Sequence, residues 1–294
     1  MSKRAPVNGI EIVYETFGPS HGRPLLLIMG LGSQMIHWDE DFCEALVDLG
    51  HYVVRFDNRD AGESTHLGDA GAPDILSAVT GHGQAAYLLD DMADDTLGLL
   101  DVLGLPSAHL AGVSMGGMIA QTLAIRAPRR VRSLTSIMST PDPKVGWPTP
   151  AAMGALMSPP SPNREAAIER ALGTWSLIGS QGYPMDRERI ARVTGLAYDR
   201  CYDPEGGARQ LMAVLCSDDR TAGLRGLDVP ALVIHGEDDP LIQIAGGRAT
   251  AEAIAGARLM TFPGMAHDLP RALWPAIAGA IAELTAAAER ETVA

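Results

Sequence analysis

One stretch constrains this chain more than any other: Ala108–Gly117, which reads AHLAGVSMGG. An apolar run from Ala108 to Val113 ends at Ser114, and Met118 to Ala127 continues with helical spacing. Gly112-Val113-Ser114-Met115-Gly116 is a G-x-S-x-G pattern, with Gly117 directly behind it. Between a predicted strand and a predicted helix, this pattern turns the chain so sharply that the serine must take a strained backbone conformation. Side chains two positions before and after the serine would collide, so glycine is needed at 112 and 116. The hydroxyl is then held above the strand end, beside a helix N-terminus, where negative charge is favoured. A bare G-x-S-x-G arises often by chance; the strand and helix on its flanks are what give this one the reading of a nucleophile.

The rest of the chain repeats the strand–helix alternation. Ile10, Ile12 and Tyr14 alternate with polar residues, as in a half-buried edge strand. Pro24–Met29, His51–Phe56, Ala108–Val113, Val131–Met138, Ala231–His235 and Arg258–Phe262 are short apolar runs, as in strands buried on both faces. Helical spacing is predicted over Asp39–Leu49, Gln84–Leu103, Gly246–Ile254 and Arg271–Glu289, and Thr65–Gly83 reads as loop. Between Pro141 and about Ala222 the rhythm breaks. This stretch is rich in proline and methionine, with helical patterns at Arg164–Ile178, Asp186–Tyr198 and Gly207–Cys216 and no convincing strand. The expected architecture is a mostly parallel sheet flanked by helices, with an all-helical insertion.

A serine is a poor nucleophile without a base, and the base needs an orienting carboxylate. In an open parallel sheet these groups gather in loops beyond the strands' carboxyl ends. After Ala231–His235 comes Gly236-Glu237-Asp238-Asp239-Pro240, and Asp239, directly before the proline turn, is the candidate acid. Asp238 is the alternate, and Asp142, beyond the preceding strand, is a weaker candidate. After Arg258–Phe262 comes Pro263-Gly264-Met265-Ala266-His267. Of the eight histidines, His267 alone follows both serine and acid at a strand end; His37 could line the site but reads as structural, and His235 as a packing residue. The tetrahedral intermediate needs two donors. The backbone N–H of Met115 is one candidate, and the N–H of Leu31, between Gly30 and Gly32 in the loop after Pro24–Met29, is the other.

At this point the chain resembles the α/β-hydrolase family over nearly its whole length. The resemblance rests on MGLG at 29–32, DNRDAGES at 57–64, GVSMGG at 112–117, GEDDPLI at 236–242 and PGMAH at 263–267. Two departures stand out: Met29 replaces the common histidine of the first loop, and Asp60 replaces a common glycine. The RDAGES form looks like a branch that includes aclacinomycin methylesterase. The resemblance implies a hydrolase core over 1–140 and 223–294, and a helical cap over 141–222 inserted after the sixth strand, covering the serine and selecting substrate.

These readings imply a serine esterase acting through an acyl-enzyme, with no cofactor and no metal. A methyl or other small-alcohol ester of a bulky apolar molecule suits Trp38, Trp147, Trp175, Met153, Met157, Leu177 and Met185, which could build an apolar pocket with Gly30 and Gly32, although most of them could equally pack the cap onto the core. Arg59 and Asp60 are expected to order the loop near the site as an ion pair. Cofactor-free haloperoxidase or perhydrolase chemistry uses the same triad. Carbon–carbon bond hydrolases do too, but commonly carry tryptophan after the histidine, where this chain has Asp268. A non-catalytic ligand-binding protein is the remaining alternative.

Composition narrows the partners. The formal net charge of −13 argues against nucleic acid and anionic membranes. The three cysteines, Cys43, Cys201 and Cys216, are not at metal-ligand spacing and read as free thiols in a reducing compartment. The N-terminal segment lacks the apolar region of a signal peptide, and no window approaches the roughly 18 uninterrupted apolar residues of a spanning helix. A cytoplasmic protein acting on a small-molecule ester is expected; oligomeric state is not readable.

Overall fold

The structure, a computed structural model, describes residues 2–71, 73–79 and 82–293. Its elements in chain order are β1 (Lys3–Val7), β2 (Ile10–Phe17), β3 (Arg23–Ile28), α1 (Glu40–Asp48), β4 (His51–Phe56), α2 (Ile75–Val79), α3 (Leu89–Val102), β5 (Ala108–Val113), α4 (Met115–Arg126) and β6 (Val131–Ile137). Then come α5 (Pro150–Leu156), α6 (Arg164–Ile178), α7 (Arg187–Arg200), α8 (Pro204–Cys216), α9 (Thr221–Arg225), β7 (Ala231–Gly236), α10 (Ile244–Ala253), β8 (Arg258–Phe262) and α11 (Trp274–Val293).

The strands form one sheet in the order β1-β2-β4-β3-β5-β6-β7-β8. From β4 to β8 all neighbours are parallel, while β1–β2 and β2–β4 are antiparallel. Leu25, Leu27, Val53, Ala111, Leu232 and Ile234 face one side, where Phe42 and Leu46 of α1 and Ile277 and Ile281 of α11 cover them. Leu26, Ile28, Val54, Leu110 and Leu134 face the other, beneath α3, α4 and α10. A strand that buries successive residues on opposite faces must be apolar throughout, and this is why the central strands read as continuous runs. The strand order reverses at β3, which has β4 on one side and β5 on the other. Such a reversal opens a crevice at the strands' carboxyl ends, where ligands bind in folds of this kind.

The structure corrects several boundaries. β2 is not an edge: β1 pairs along it, from Lys3 opposite Tyr14 to Val7 opposite Ile10. β1 escapes sequence reading because it is short, largely exposed and interrupted by Pro6, which an edge strand tolerates. Thr65–Gly83 is not all loop; it holds a short 3₁₀ turn at Gly68–Ala70 and α2, while residues 72, 80 and 81 of that prediction lie outside the described residues. The helix predicted from Gln84 starts only at Leu89.

Between β6 and β7 the chain forms five helices among the described residues, α5 to α9, and no strand. Its two stems close on each other through Arg220. The Arg220 N–H donates to Pro141 O at 3.0 Å, and its guanidinium donates to Thr140 O at 2.9 Å and to Gln121 Oε1 at 3.1 Å. Burial pushes this guanidinium down to about 10, against the opposing pull of Asp142, Asp219 and Asp90.

Candidate active site

β5 and α4 meet at Ser114, whose φ of 56° and ψ of −123° depart from both the strand and the helix it joins. Three glycines make this turn possible. A Cβ on Gly112 would lie 2.1 Å from Gly116 O, one on Gly116 2.1 Å from Ile28 O, and one on Gly117 2.6 Å from Ser139 Cβ. No side chain fits at such distances, so the close approach of β3, β5 and α4 requires glycine. Gly30 lies against the serine itself: a Cβ there would come within 3.1 Å of Ser114 Cβ.

Two strands away, Asp239 ends the turn after β7. Its side chain is fully buried, whereas Glu237 and Asp238 are exposed. Oδ1 accepts from the N–H groups of Leu241 and Ile242 at 2.8 and 3.0 Å, because Pro240 folds the chain back over the carboxylate. Oδ2 lies 2.7 Å from His267 Nδ1. That contact fixes the tautomer: Nδ1–H donates to the carboxylate, leaving Nε2 free to accept a proton. Asp142, the weaker candidate, instead accepts from Lys144 N in its own turn. Ser114 and His267 border the same cavity, with no hydrogen bond between the two side chains. Such contacts commonly tighten only when substrate is bound.

His235 sits behind the acid. It is fully buried, and Nε2 donates to Ile242 O at 2.7 Å while lying 3.6 Å from Asp239 Oδ2. Burial lowers its pKa; with Nε2 donating, Nδ1 is the acceptor nitrogen, and it has no partner among the described residues. It packs under the acid, as the sequence suggests.

The first loop carries Leu31 between Gly30 and Gly32. Neither the Leu31 nor the Met115 N–H has an acceptor among the described residues, and Met115 opens α4, where helical N–H groups are unpaired. The Met29 carbonyl is held by Asn58 Nδ2 at 3.0 Å, so the loop is tethered although methionine stands in place of histidine. Its far end is held by α8. Gln210 Oε1 accepts from Gly32 N at 2.7 Å, and Gln210 Nε2 donates to Arg59 O at 2.7 Å.

Above the serine lies a cavity of about 990 Å³, bounded below by these loops and above by α5 to α8. Trp147, Trp175, Met153, Met157 and Met185 line it, as do Gly30, Gly32 and His37; burial lowers the pKa of His37. Leu177 does not line it and is exposed instead. Trp38 borders the cavity yet is 1% exposed and stacks on Phe42 with 5.8 Å between ring centres, so it also belongs to the core.

The insertion is fastened to the core by a row of arginines meeting aspartates. Arg189 meets Asp39 at 2.6 Å, Arg200 meets Asp57 at 2.7 Å, and Arg209 meets Asp60 at 2.8 Å. The predicted Arg59–Asp60 pair does not form. Arg59 turns to Asp95, at 2.6 and 2.7 Å, while Asp60 accepts from Arg209, Tyr87 and Leu67 N. Asp60 sits at φ 61°, which explains why glycine is common at this place in the motif. These arginines and Gln210 escape sequence reading, although the spacing of Arg189 and Arg200 by three helical turns puts them on one face of α7. Asp60, His66 and Asp203 bring donor atoms within 4.8 Å of one another. Arg209 already binds both carboxylates, so a cation there would face a buried guanidinium.

A strand–turn–helix serine placed where the order of an open parallel sheet reverses is the architecture of a hydrolase. The family model for the alpha/beta hydrolase fold matches residues 23–270, and the chain belongs to that family. It is 31% identical to rhodomycin D methylesterase DnrP of Streptomyces peucetius, over 93% of this chain and 94% of that protein. It is 27% identical to a non-heme haloperoxidase of Rhodococcus erythropolis, over 89% of this chain and 91% of that protein. Among solved structures, the enol-lactonase from Burkholderia xenovorans LB400 is similar, with a TM-score of 0.74 at 25% identity, covering 96% of this chain and 99% of that one. No helix among the described residues is long and apolar enough to cross a membrane.

Proposed function

We propose that this enzyme hydrolyses a carboxylic ester through an acyl-enzyme on Ser114, with His267 as base and Asp239 as its orienting acid. The contact that carries this reading is the one between the buried Asp239 carboxylate and His267 Nδ1, on the wall of the cavity that holds Ser114. His267 Nε2 takes the Ser114 proton as Oγ attacks the ester carbonyl. The N–H groups of Leu31 and Met115 receive the negative charge, each worth on the order of 3–4 kcal/mol in the transition state. His267 then protonates the departing alcohol and activates the water that clears the acyl group.

Residues 141–222 act as a cap over this site, and residues 1–140 and 223–294 as the catalytic core. The substrate is a methyl or other small-alcohol ester of a bulky apolar molecule. The similarity to a rhodomycin D methylesterase and the size of the cavity, with Trp147, Trp175 and Met153 in its wall, support that choice. A panel of esters, from acetates to polycyclic methyl esters, tests it. Turnover should favour the bulky acids and fall below detection in Ser114→Ala; undiminished turnover in that variant would sink the reading. The haloperoxidase relative supports a second reading, in which peroxide replaces water on the same acyl-enzyme. Peroxide-dependent halogenation exceeding ester hydrolysis would favour it.

A further inference from the structure

We propose that Ser180 and Asp268 are positioning residues for His267, supplied jointly by the cap and the histidine loop. The inference rests on the triad reading above and adds to it the means by which the base is held.

The core holds the loop after β8 at Met265, which is fully buried and whose carbonyl accepts from Asp238 N–H at 3.0 Å. β8 is the last strand of the sheet, paired on one side only, and Gly264 in the loop has a φ of 76°. The Asp239 contact fixes one ring nitrogen, and the N–H groups of Ala266 and His267 are met from the cap. The segment at the end of α6 meets this backbone residue by residue. Ala266 N–H donates to Ser180 Oγ at 2.8 Å, His267 N–H donates to Ile178 O at 2.9 Å, and Ser180 N–H donates to Asp268 Oδ1 at 2.8 Å. Gly182 N–H continues the series to Gly264 O at 3.0 Å. The two chains touch there, since a Cβ on Gly182 would lie 2.6 Å from Gly264 Cα.

Within this brace the Ser180 hydroxyl has two jobs of opposite sense. It donates to Asp268 Oδ1 and accepts from Ala266 N–H. A free hydroxyl could rotate and present its proton to Ala266 instead. The Asp268 carboxylate accepts only, so it claims the hydroxyl proton and turns the lone pair toward Ala266. This gives a physical role to Asp268, the residue after the base. A displacement of the base by about 1 Å can cost on the order of 100-fold in rate, so a brace with this geometry acts on turnover more than on substrate affinity.

The test uses Asp268→Ala, Ser180→Ala and Asp268→Asn, with kcat and KM on a short p-nitrophenyl ester referred to the sites titrated by a fluorophosphonate. Asp268→Ala and Ser180→Ala should lower kcat per titrated site by about 10- to 100-fold, with KM within about twofold. Asp268→Asn keeps an Oδ1 acceptor and should restore kcat to within about threefold of the parent. A merely structural role would lower the number of titratable sites and leave kcat per site unchanged; that result overturns the inference, as does an Asp268→Asn variant no better than Asp268→Ala. Should Asp268→Ala fail to fold, Ser180→Ala against Asp268→Asn decides the matter by the same comparison. Undiminished turnover in Ser114→Ala would remove the triad reading itself. Loss in Ser114→Ala with unchanged kcat per site in Asp268→Ala and Ser180→Ala removes only this inference.

Discussion

At the residue scale, the turn around Ser114 is set by atoms that glycine lacks. Gly112→Ala would place a carbon 2.1 Å from Gly116 O, and neither β5 nor α4 can move without displacing the serine. This variant is expected to lose both activity and stable folding, checked by ester turnover and thermal unfolding. Asp60 presents the opposite case. Its φ of 61° favours glycine, yet its carboxylate is fully buried against Arg209. Asp60→Gly relieves the backbone but takes one carboxylate from the buried Arg209, leaving Asp203, and removes the acceptor of Tyr87 and of Leu67 N–H; it should destabilise the protein by about 3 kcal/mol in urea unfolding. Pairing it with Arg209→Met should recover only the part of that loss that comes from the guanidinium. The proposed triad of Ser114, Asp239 and His267 is legible in the sequence because each stands at a predicted strand end, in the chain order of the family. Asp60 is visible as a departure from a motif, but its partner is not, since Arg209 lies 149 residues away and nothing local marks it.

At the element scale, the sheet and the long helices are readable because burial on two faces or one stripe imposes a pattern on the chain. α6 and β8 have the limits the pattern predicts. β1, α5 and α9 are missed because short, half-exposed elements need little apolar sequence to form. What the patterns cannot reveal is how the inserted helices meet the core. Gln210 of α8 bonds to Gly32 across 178 residues and steadies the loop that carries the Leu31 N–H. Gln210→Met keeps the side-chain volume and removes both bonds. It should lower kcat about tenfold, since it shifts the proposed oxyanion donor without deleting it; steady-state kinetics on the same ester would show an unchanged kcat if the loop needs no such support.

At the scale of the whole molecule, stability should depend on pH through buried imidazoles. His51 is fully buried between Leu46 O and Thr285 Oγ1, and burial pushes its pKa down to about 4. In the unfolded chain an imidazole titrates near about 6.5. Above that pH the group contributes nothing; as pH falls from there toward 4, only the unfolded state takes up the proton, and stability is lost. From pH 7 to pH 5 the loss from His51 is at most about 2 kcal/mol. His235, lowered by burial in the same direction, adds to the trend. Urea unfolding at the two pH values should show this fall, and His51→Asn should flatten it; an equal fall in that variant would assign the effect elsewhere. Solubility of the folded chain is helped by its charge of −13. The central claim concerns one hydroxyl, and covalent labelling tests it most directly. Treatment with a fluorophosphonate, followed by peptide mass spectrometry, should place a single adduct on Ser114 and none in a His267→Ala protein treated alike. An adduct on any other residue, or an unlabelled Ser114 in the folded parent protein, would contradict the account.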